Sequence, residues 1–243
     1  MAEIISIEEA VAYVKPGSRI MGDGFLGISA PIKLFEGLRD AGTKELTLIQ
    51  AVMSFPMEEH DVSLLAVNKQ LKKLICAHAG TSREITKQYF AGELEIDFIP
   101  MGTLAECIRA AGAGLGGVIT PVGIGTMQEE NHEKITRNGK DYLLYNPIGA
   151  DVAFVKANKA DKAGNLYCHG TSKSLTLEVA MAADIVIAEV DEIVEIGEIE
   201  PTDVYVPGML VDYLVQGLTP EENFEYYKVL WGRHNLLSEG ANE

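Results

Sequence analysis

From residue 19 onward, short apolar runs alternate with segments of helical spacing, and this alternation restricts the fold more than any other feature of the chain. Arg19-Ile20-Met21, Leu46 to Ile49, Leu74 to Ala77, Ile96 to Ile99 and Val118-Ile119 read as strands. Helices are expected between them, one beginning at Pro31, one capped by Thr81-Ser82-Arg83-Glu84 and one from Thr103 to Ala111. Strand and helix in turn at this spacing predict an α/β fold on an open, mostly parallel, doubly wound sheet. Val152 to Val155 and Ile185 to Val190 are continuous apolar runs, which suit strands buried on both faces. Asn138-Gly139 carries the signal of a two-residue hairpin turn with Tyr142 to Tyr145 as its return strand, so a small hairpin insertion is expected. Ser6-Ile7-Glu8-Glu9 has the form of a capping box and opens a short helix that Pro16-Gly17 stops.

The stretch Gly22-Asp23-Gly24-Phe25-Leu26-Gly27 lies between the first of these strands and the helix at Pro31. Residues without Cβ let backbone amides approach a ligand, and the helix N-terminus behind them favours an anion. The G-x-G-x-x-G spacing alone does not establish a dinucleotide site, which also needs an acid at the end of the next strand to hold the ribose. Here that strand ends in Gln50-Ala51-Val52. The missing acid argues against NAD and favours another phosphate-bearing or acyl ligand. A second glycine stretch, Gly112 to Gly117, runs into Thr120-Pro121-Val122-Gly123-Ile124-Gly125-Thr126. It reads either as a tight helix-to-strand connection followed by a turn or, preferably, as a second wall of amide donors lining the same cleft.

Lys and Arg number 20 against 36 Asp and Glu, a formal charge of −16, with no basic cluster to serve a nucleic acid. No apolar stretch approaches the ~20 residues that span a bilayer, and the N-terminus lacks a signal-peptide pattern. The expected setting is cytoplasmic. Three widely spaced cysteines, Cys76, Cys107 and Cys168, suit reduced thiols.

Other candidate chemistry is weaker. Cys76 and His78, Cys168-His169 and His132 lack metal-ligand spacing, so no metal site is expected. Ser29, Ser54 and Ser172 sit in no nucleophile elbow. The acidic run Glu189 to Glu198 alternates with Ile and Val and reads as a half-exposed strand with its charges in water. Glu130-Asn131-His132 falls in a polar loop, where a desolvated carboxylate would be hard to keep.

Asp23-Gly24-Phe25-Leu26-Gly27-Ile28-Ser29-Ala30-Pro31 resembles the alpha-subunit signature of family I CoA-transferases. Pro100 to Glu106, Gly112 to Gly117, Thr120 to Thr126 and Ala160 to Leu166 are similar to the family's later blocks, in the same order. The likeness spans about residues 3 to 217, closest to alpha subunits of acetate or acetoacetate:butyrate CoA-transferases of bacterial fermentation. It implies transfer of CoA from an acyl-CoA to a short-chain carboxylate by ping-pong chemistry on a glutamate. In the family that glutamate belongs to a beta part in a Glu-Asn-Gly context, so no catalytic residue is expected in this chain and Glu130 is a decoy. A beta subunit, a hetero-oligomer, acyl-CoA as substrate and no permanently bound cofactor are implied with it. The alternatives are a CoA-thioester hydrolase or ring-opening enzyme on the same scaffold, or a phosphometabolite-binding module.

On this resemblance Asp23, Gly24, Phe25, Leu26, Gly27, Ile28 and Ser29 are expected to meet CoA and the acyl group, with loop amides stabilising the oxyanion. Gly116, Gly117, Gly123 and Gly125 are expected to shape the other wall. Asp23 stands where the family has glycine, so its carboxylate must point away or be paired. Cys168 to Leu175 replaces a Ser/Thr-Ala-Arg-Asn-Phe-Asn block and is expected to bear on acyl preference. Residues 1–218 form the expected transferase domain and 219–243 a tail. In a helical tail, Phe224, Tyr227 and Trp231 form one stripe at i, i+3, i+7, facing either the chain's own core or a partner.

Overall fold

The computed structural model describes residues 1–170 and 173–237. In chain order its elements are β1 (Glu3–Ile4), α1 (Ile7–Val11), β2 (Arg19–Gly22), α2 (Ile32–Ala41), β3 (Leu46–Ile49), α3 (Ser63–Val67), β4 (Leu71–Cys76), α4 (Arg83–Phe90), β5 (Glu95–Phe98) and α5 (Met101–Gly112). Then follow β6 (Val118–Thr120), α6 (Met127–Asn131), β7 (Glu133–Arg137), β8 (Lys140–Tyr145), β9 (Ala150–Asp161), β10 (Leu166–Tyr167), α7 (Thr176–Met181), β11 (Ala183–Val194), β12 (Tyr213–Gln216) and α8 (Pro220–Arg233).

The main sheet runs β1-β12-β11-β9-β2-β3-β4-β5 with every neighbouring pair parallel, and β10 adds an antiparallel edge to β9. Helices α1 to α4 cover one face through a core containing Leu34, Phe35, Leu38, Leu48, Leu74 and Phe154. The other face packs Met21, Ile49, Ala153 and Val155 under Leu104, Cys107 and Ile108 of α5 and Val179 of α7. Burial on both faces explains the continuous apolar runs inside β9 and β11.

Chain order reverses at β2 and β9. From β2 the chain proceeds to β3 on one side, and from β9 to β11 on the other. A crevice outside the carboxyl ends of the strands at such a switch point is where open α/β sheets bind ligands. The glycine loop after β2 opens there.

Val118-Ile119 departs from its expected place in the parallel series. It forms β6, antiparallel to β8, in a separate three-stranded sheet ordered β6-β8-β7. The Asn138-Gly139 turn joins β7 to β8, both residues at positive φ, as a two-residue hairpin requires. The small sheet packs Leu143 and Tyr145 into the core beneath α5. Among the described residues no helix is long and apolar enough to cross a membrane.

Candidate active site at the glycine loop

Gly22 ends β2 because nothing larger fits: a Cβ there would lie 2.3 Å from Oε1 of Gln50 and 2.9 Å from Cζ of Phe35. Beyond it the chain makes a miniature hairpin. Phe25 N donates to Ile28 O at 2.9 Å and Ile28 N to Phe25 O at 3.0 Å. Leu26 (φ +52°) and Gly27 (φ +83°) form the turn between them, and Ser29 follows at φ +57°. Positive φ at both central residues is the two-residue hairpin geometry, and it is strained for leucine. The hairpin holds Phe25 and Ile28 out into solvent, 52% and 44% exposed.

The Phe25 and Ile28 amides are thus used internally. Among the described residues, the Leu26 and Ser29 amides take no hydrogen-bond partner, and both residues are only half-buried. Both are donors that the hairpin leaves free on its half-buried residues. The N-terminus of α2, by contrast, is occupied from within. Oε2 of the buried Glu189 accepts from the Leu34 amide at 3.0 Å, supplying the negative charge that a helix start favours.

Three supports hold the hairpin. Gln50 Nε2 donates to the carbonyls of Asp23, Gly24 and Val52 at 3.4, 3.3 and 3.0 Å. The residue standing where a dinucleotide fold needs its ribose acid is spent on the loop itself. Gly27 rests on Phe55 and His60, since a Cβ there would be 3.1 Å from Phe55 Cβ and 3.2 Å from His60 Cδ2. From the other side, the Tyr227 hydroxyl on α8 donates to the Gly27 carbonyl.

Asp23 lies beneath the hairpin, buried, with Oδ2 accepting from the Thr176 hydroxyl at the start of α7. Burial pushes its carboxyl up to about 6, against the lowering effect of that hydrogen bond. The carboxylate is therefore turned into the protein and paired. His60, buried beside Gly27, contacts the Tyr226 hydroxyl through Nδ1 at 3.0 Å, and burial pushes it down to about 4. Its neighbour Asp61 is buried and pushed up to about 7, against its bonds from Ser54 and nearby backbone. Ser54 is fully buried and donates to the His60 carbonyl, a structural bond rather than the setting of a nucleophile.

The acidic run of β11 departs from its expected solvation. Glu189 and Asp191 are only 1% and 4% exposed, while Glu195 and Glu198 face water. Glu189 stands directly opposite Lys156 on β9, and Lys156 Nζ lies 3.2 Å from Glu189 Oε1 and 2.6 Å from Asp191 Oδ1. Alternation along β11 is real, but both faces of its centre are covered. Only knowing that Lys156 is a cross-strand neighbour would have revealed it.

The second glycine stretch has local causes of its own. Gly114 closes α5 at φ +66°, with Leu115 N bonded to Ala110 O and Gly114 N to Ala111 O. A Cβ on Gly117 would sit 2.7 Å from Leu144, and one on Gly123 2.7 Å from the Tyr145 hydroxyl. Gly116 and Gly125 are exposed, and Gly125 N donates to Glu129. Among the described residues, no hydrogen bond joins residues 116–125 to the 23–29 hairpin.

Glu130 is exposed on α6. The cysteines are buried free thiols, with Cys76 and Cys168 each pushed up to about 12 by burial. No cluster of three metal-capable side chains occurs among the described residues. Thr171 and Ser172 of the divergent segment, and residues 238–243 of the tail, lie outside the described residues.

On α8, Tyr226 and Tyr227 turn toward His60 and Gly27, Leu230 is buried, and Phe224 stays 63% exposed. The stripe expected at 224, 227 and 231 therefore divides between the chain's own loop and open surface. His234 and Arg233, just beyond and at the helix end, reach Glu58 at 3.0 and 3.3 Å. The helix is thereby fastened at its middle, by Tyr226 and Tyr227, and at its C-terminal end, by Arg233 and His234.

Comparison with known proteins gives a consistent result. The family model described as Coenzyme A transferase matches residues 4–217. The acetoacetyl-CoA:acetate/butyrate CoA transferase alpha subunit of Clostridium acetobutylicum is 40% identical over 215 residues, covering 88% of this chain and 98% of that one. The acetate CoA-transferase subunit alpha of Escherichia coli K12 is 37% identical over 213 residues, covering 88% and 96%. Among solved structures, an acyl-CoA transferase of Escherichia coli O157:H7 superposes with a TM-score of 0.84 at 26% identity, over 91% of this chain. The present chain spans about half of that protein, 47% of its length.

Proposed function

The chain belongs to the coenzyme A transferase family, and from that premise we propose that it is the alpha subunit of an acyl-CoA:carboxylate CoA-transferase of the acetate, butyrate and acetoacetate class. The observation that carries this reading is the hairpin 25–28. It sits at the switch point of the sheet, within the matched region, and offers the Leu26 and Ser29 amides where the strand order reverses.

In this reading a beta subunit brings the nucleophilic glutamate. Its carboxylate attacks the thioester carbonyl, the C–S bond breaks, and CoA leaves as the thiolate, giving an acyl-glutamyl anhydride. The thiolate then attacks the glutamyl carbonyl, releases the first acid and leaves a glutamyl-CoA thioester. The acceptor carboxylate reverses the sequence, so no oxidant or external proton donor is needed. At each addition the negative charge on the carbonyl oxygen falls to the Leu26 and Ser29 amides, with Gly24 and Gly27 keeping the backbone in its strained path. Asp23 braces the loop through Thr176, and Phe25 and Ile28 form the apolar rim against pantetheine and acyl group.

Residues 116–125 belong to the partner-facing side in this reading. Leu115, Ile119, Val122 and Met127 are exposed there, and depletion of charge with apolar anchors is typical of interface centres. Gly116, Gly117, Gly123 and Gly125 then complete the cleft only in the assembled enzyme. Residues 1–218 are the transferase domain and 219–243 an appended tail. Three buried free thiols fit a cytoplasmic setting.

The test is activity with and without the coexpressed beta chain. The isolated chain is expected to fold and show no transfer, while the pair exchanges CoA between acids. After incubation with acyl-CoA and borohydride, the modified glutamate should map to the partner. Robust turnover by this chain alone, or modification of Glu130, would overturn the reading.

A further inference from the structure

A cleft of about 470 Å³ opens between α8 and the glycine hairpin. Its walls are Phe224, Tyr227 and Trp231 on one side and Ile28 on the other, above a floor that includes Asn158 and Asp191. The Tyr227 hydroxyl is bound to the Gly27 carbonyl, so only the ring remains for an occupant. Asn158 Nδ2 is directed to Asp191 Oδ2 at 3.3 Å, and Asp191 is paired with Lys156. The floor's polar groups thus serve one another, and the walls are aromatic and aliphatic. Helix α8 starts at Pro220, beyond the matched region that ends at residue 217.

We propose that α8 and Ile28 form an acyl-group subsite that extends the range of this short-chain enzyme to apolar acyl chains longer than four carbons or bearing an aromatic ring. The inference rests on the CoA-transfer reading and names the substrate class of that site. Two observations choose the occupant. Ile28 lines the cleft and belongs to the hairpin that the CoA-transfer reading places at the reacting carbonyl, so in that reading a group in the cleft is continuous with that carbon. Glu221, Glu222 and Glu225 on α8, with Asp191 below, disfavour the phosphates at the nucleotide end of CoA, and Lys228 is the one cation lining the cleft among the described residues. The volume lies in the range of drug-sized ligand sites, roughly 300–1,000 Å³, and a two-carbon acyl group leaves most of it empty.

Two measurements on the two-chain enzyme decide the matter. First, kcat/KM is determined for acetyl-, butyryl-, hexanoyl- and phenylacetyl-CoA with one acceptor acid. Values for the two larger donors should exceed those for acetyl-CoA, and Phe224→Ala and Trp231→Ala should each lower them about tenfold more than the acetyl-CoA value. Second, Trp231 is the chain's single tryptophan. With the partner's signal subtracted, its fluorescence should respond to hexanoyl- and phenylacetyl-CoA and far less to acetyl-CoA or CoA.

A preference ending at four carbons with no size-dependent loss would overturn the subsite. So would equal losses for every donor, or a Trp231 response to CoA alone, since either places the nucleotide end in the cleft. If no donor is transferred at all, the transfer reading fails, and the fluorescence titration still decides what the cleft binds.

Discussion

The Tyr227 hydroxyl donates to the carbonyl of Gly27, two hundred positions earlier in the chain, and so ties the last helix to the turn of the glycine hairpin. Gly27 is buried, and a buried carbonyl that loses its donor costs about 1–3 kcal/mol. Tyr227→Phe keeps the ring and removes only the bond. It should lower unfolding free energy in urea by that amount and speed hydrogen exchange at Phe25 and Ile28, the hydrogen-bonded amides of the hairpin. Unchanged stability and exchange would show that the hairpin holds its shape without α8.

Gly24 lies at φ +112°, and a Cβ there would stand 3.2 Å from three atoms of Ala30. Gly24→Val should therefore displace the backbone that positions the loop amides. The expected loss in kcat/KM is at least ~10²-fold, comparable to deleting an oxyanion donor, with assembly of the two chains intact by size-exclusion chromatography. Normal kinetics would reduce the hairpin to a turn.

Asp23 makes stability depend on pH in a defined direction. Its carboxyl is raised from the ordinary 3.8 to about 6 in the folded protein, chiefly by burial. The fold is favoured by the neutral acid, so the favourable contribution is complete below 3.8 and is lost as pH rises through about 6. Asp23→Asn removes the charge and keeps an oxygen for Thr176. It should stabilise the protein at pH 8 by up to about 3 kcal/mol, with the gain shrinking toward pH 4, as read from urea midpoints. A gain independent of pH, or a loss at pH 8, would contradict the burial argument.

Lys156 pairs with two buried carboxylates, those of Glu189 and Asp191, and its single charge is shared between them. Removing one member of such a group leaves uncompensated charge inside the protein, which costs about 3–5 kcal/mol. Lys156→Met should destabilise by that amount, and adding Glu189→Gln and Asp191→Asn should recover most of it. A single-variant effect within about 0.5 kcal/mol would mean that water reaches the pair.

What could be read from the sequence was what depends on near neighbours. The Ser6–Glu9 capping box forms reciprocally, Ser82 caps α4, and the strand at Leu46–Ile49 has the bounds its composition suggests. The Asn138-Gly139 hairpin forms for the same reason. Features set by distant partners were hidden. Local alternation marked Glu189 and Asp191 as solvent-facing, because nothing near them in sequence reveals Lys156 on the adjoining strand. Val118-Ile119 has the composition of a core strand, yet its partner is β8 in the small sheet.

The candidate site divides the same way. Its glycine hairpin was legible because glycine spacing is local, whereas Leu26 and Ser29 at positive φ have no residue-type signal. Gln50 was read only as a missing acid, although its amide is what fastens the loop. The fastening of α8 to residues 27, 58 and 60 could not be read at all, since it joins opposite ends of the chain.

The placing of β2 between β3 and β9 also sets an order of events during synthesis. β2 can pair with β3 as soon as residue 49 has left the ribosome, and β4 and β5 extend the pair to a half-sheet of β2 to β5 once residue 98 has followed. Its other edge waits for β9, more than a hundred residues later, and until then a row of unpaired backbone groups on an apolar strand faces the cell. Such an edge is a template for pairing between nascent chains. The hairpin emerges among the first thirty residues but receives its last support only with residue 227. The glycine hairpin is thus begun early and finished late, which places the greatest exposure to misassembly in the interval between its emergence and that of Tyr227.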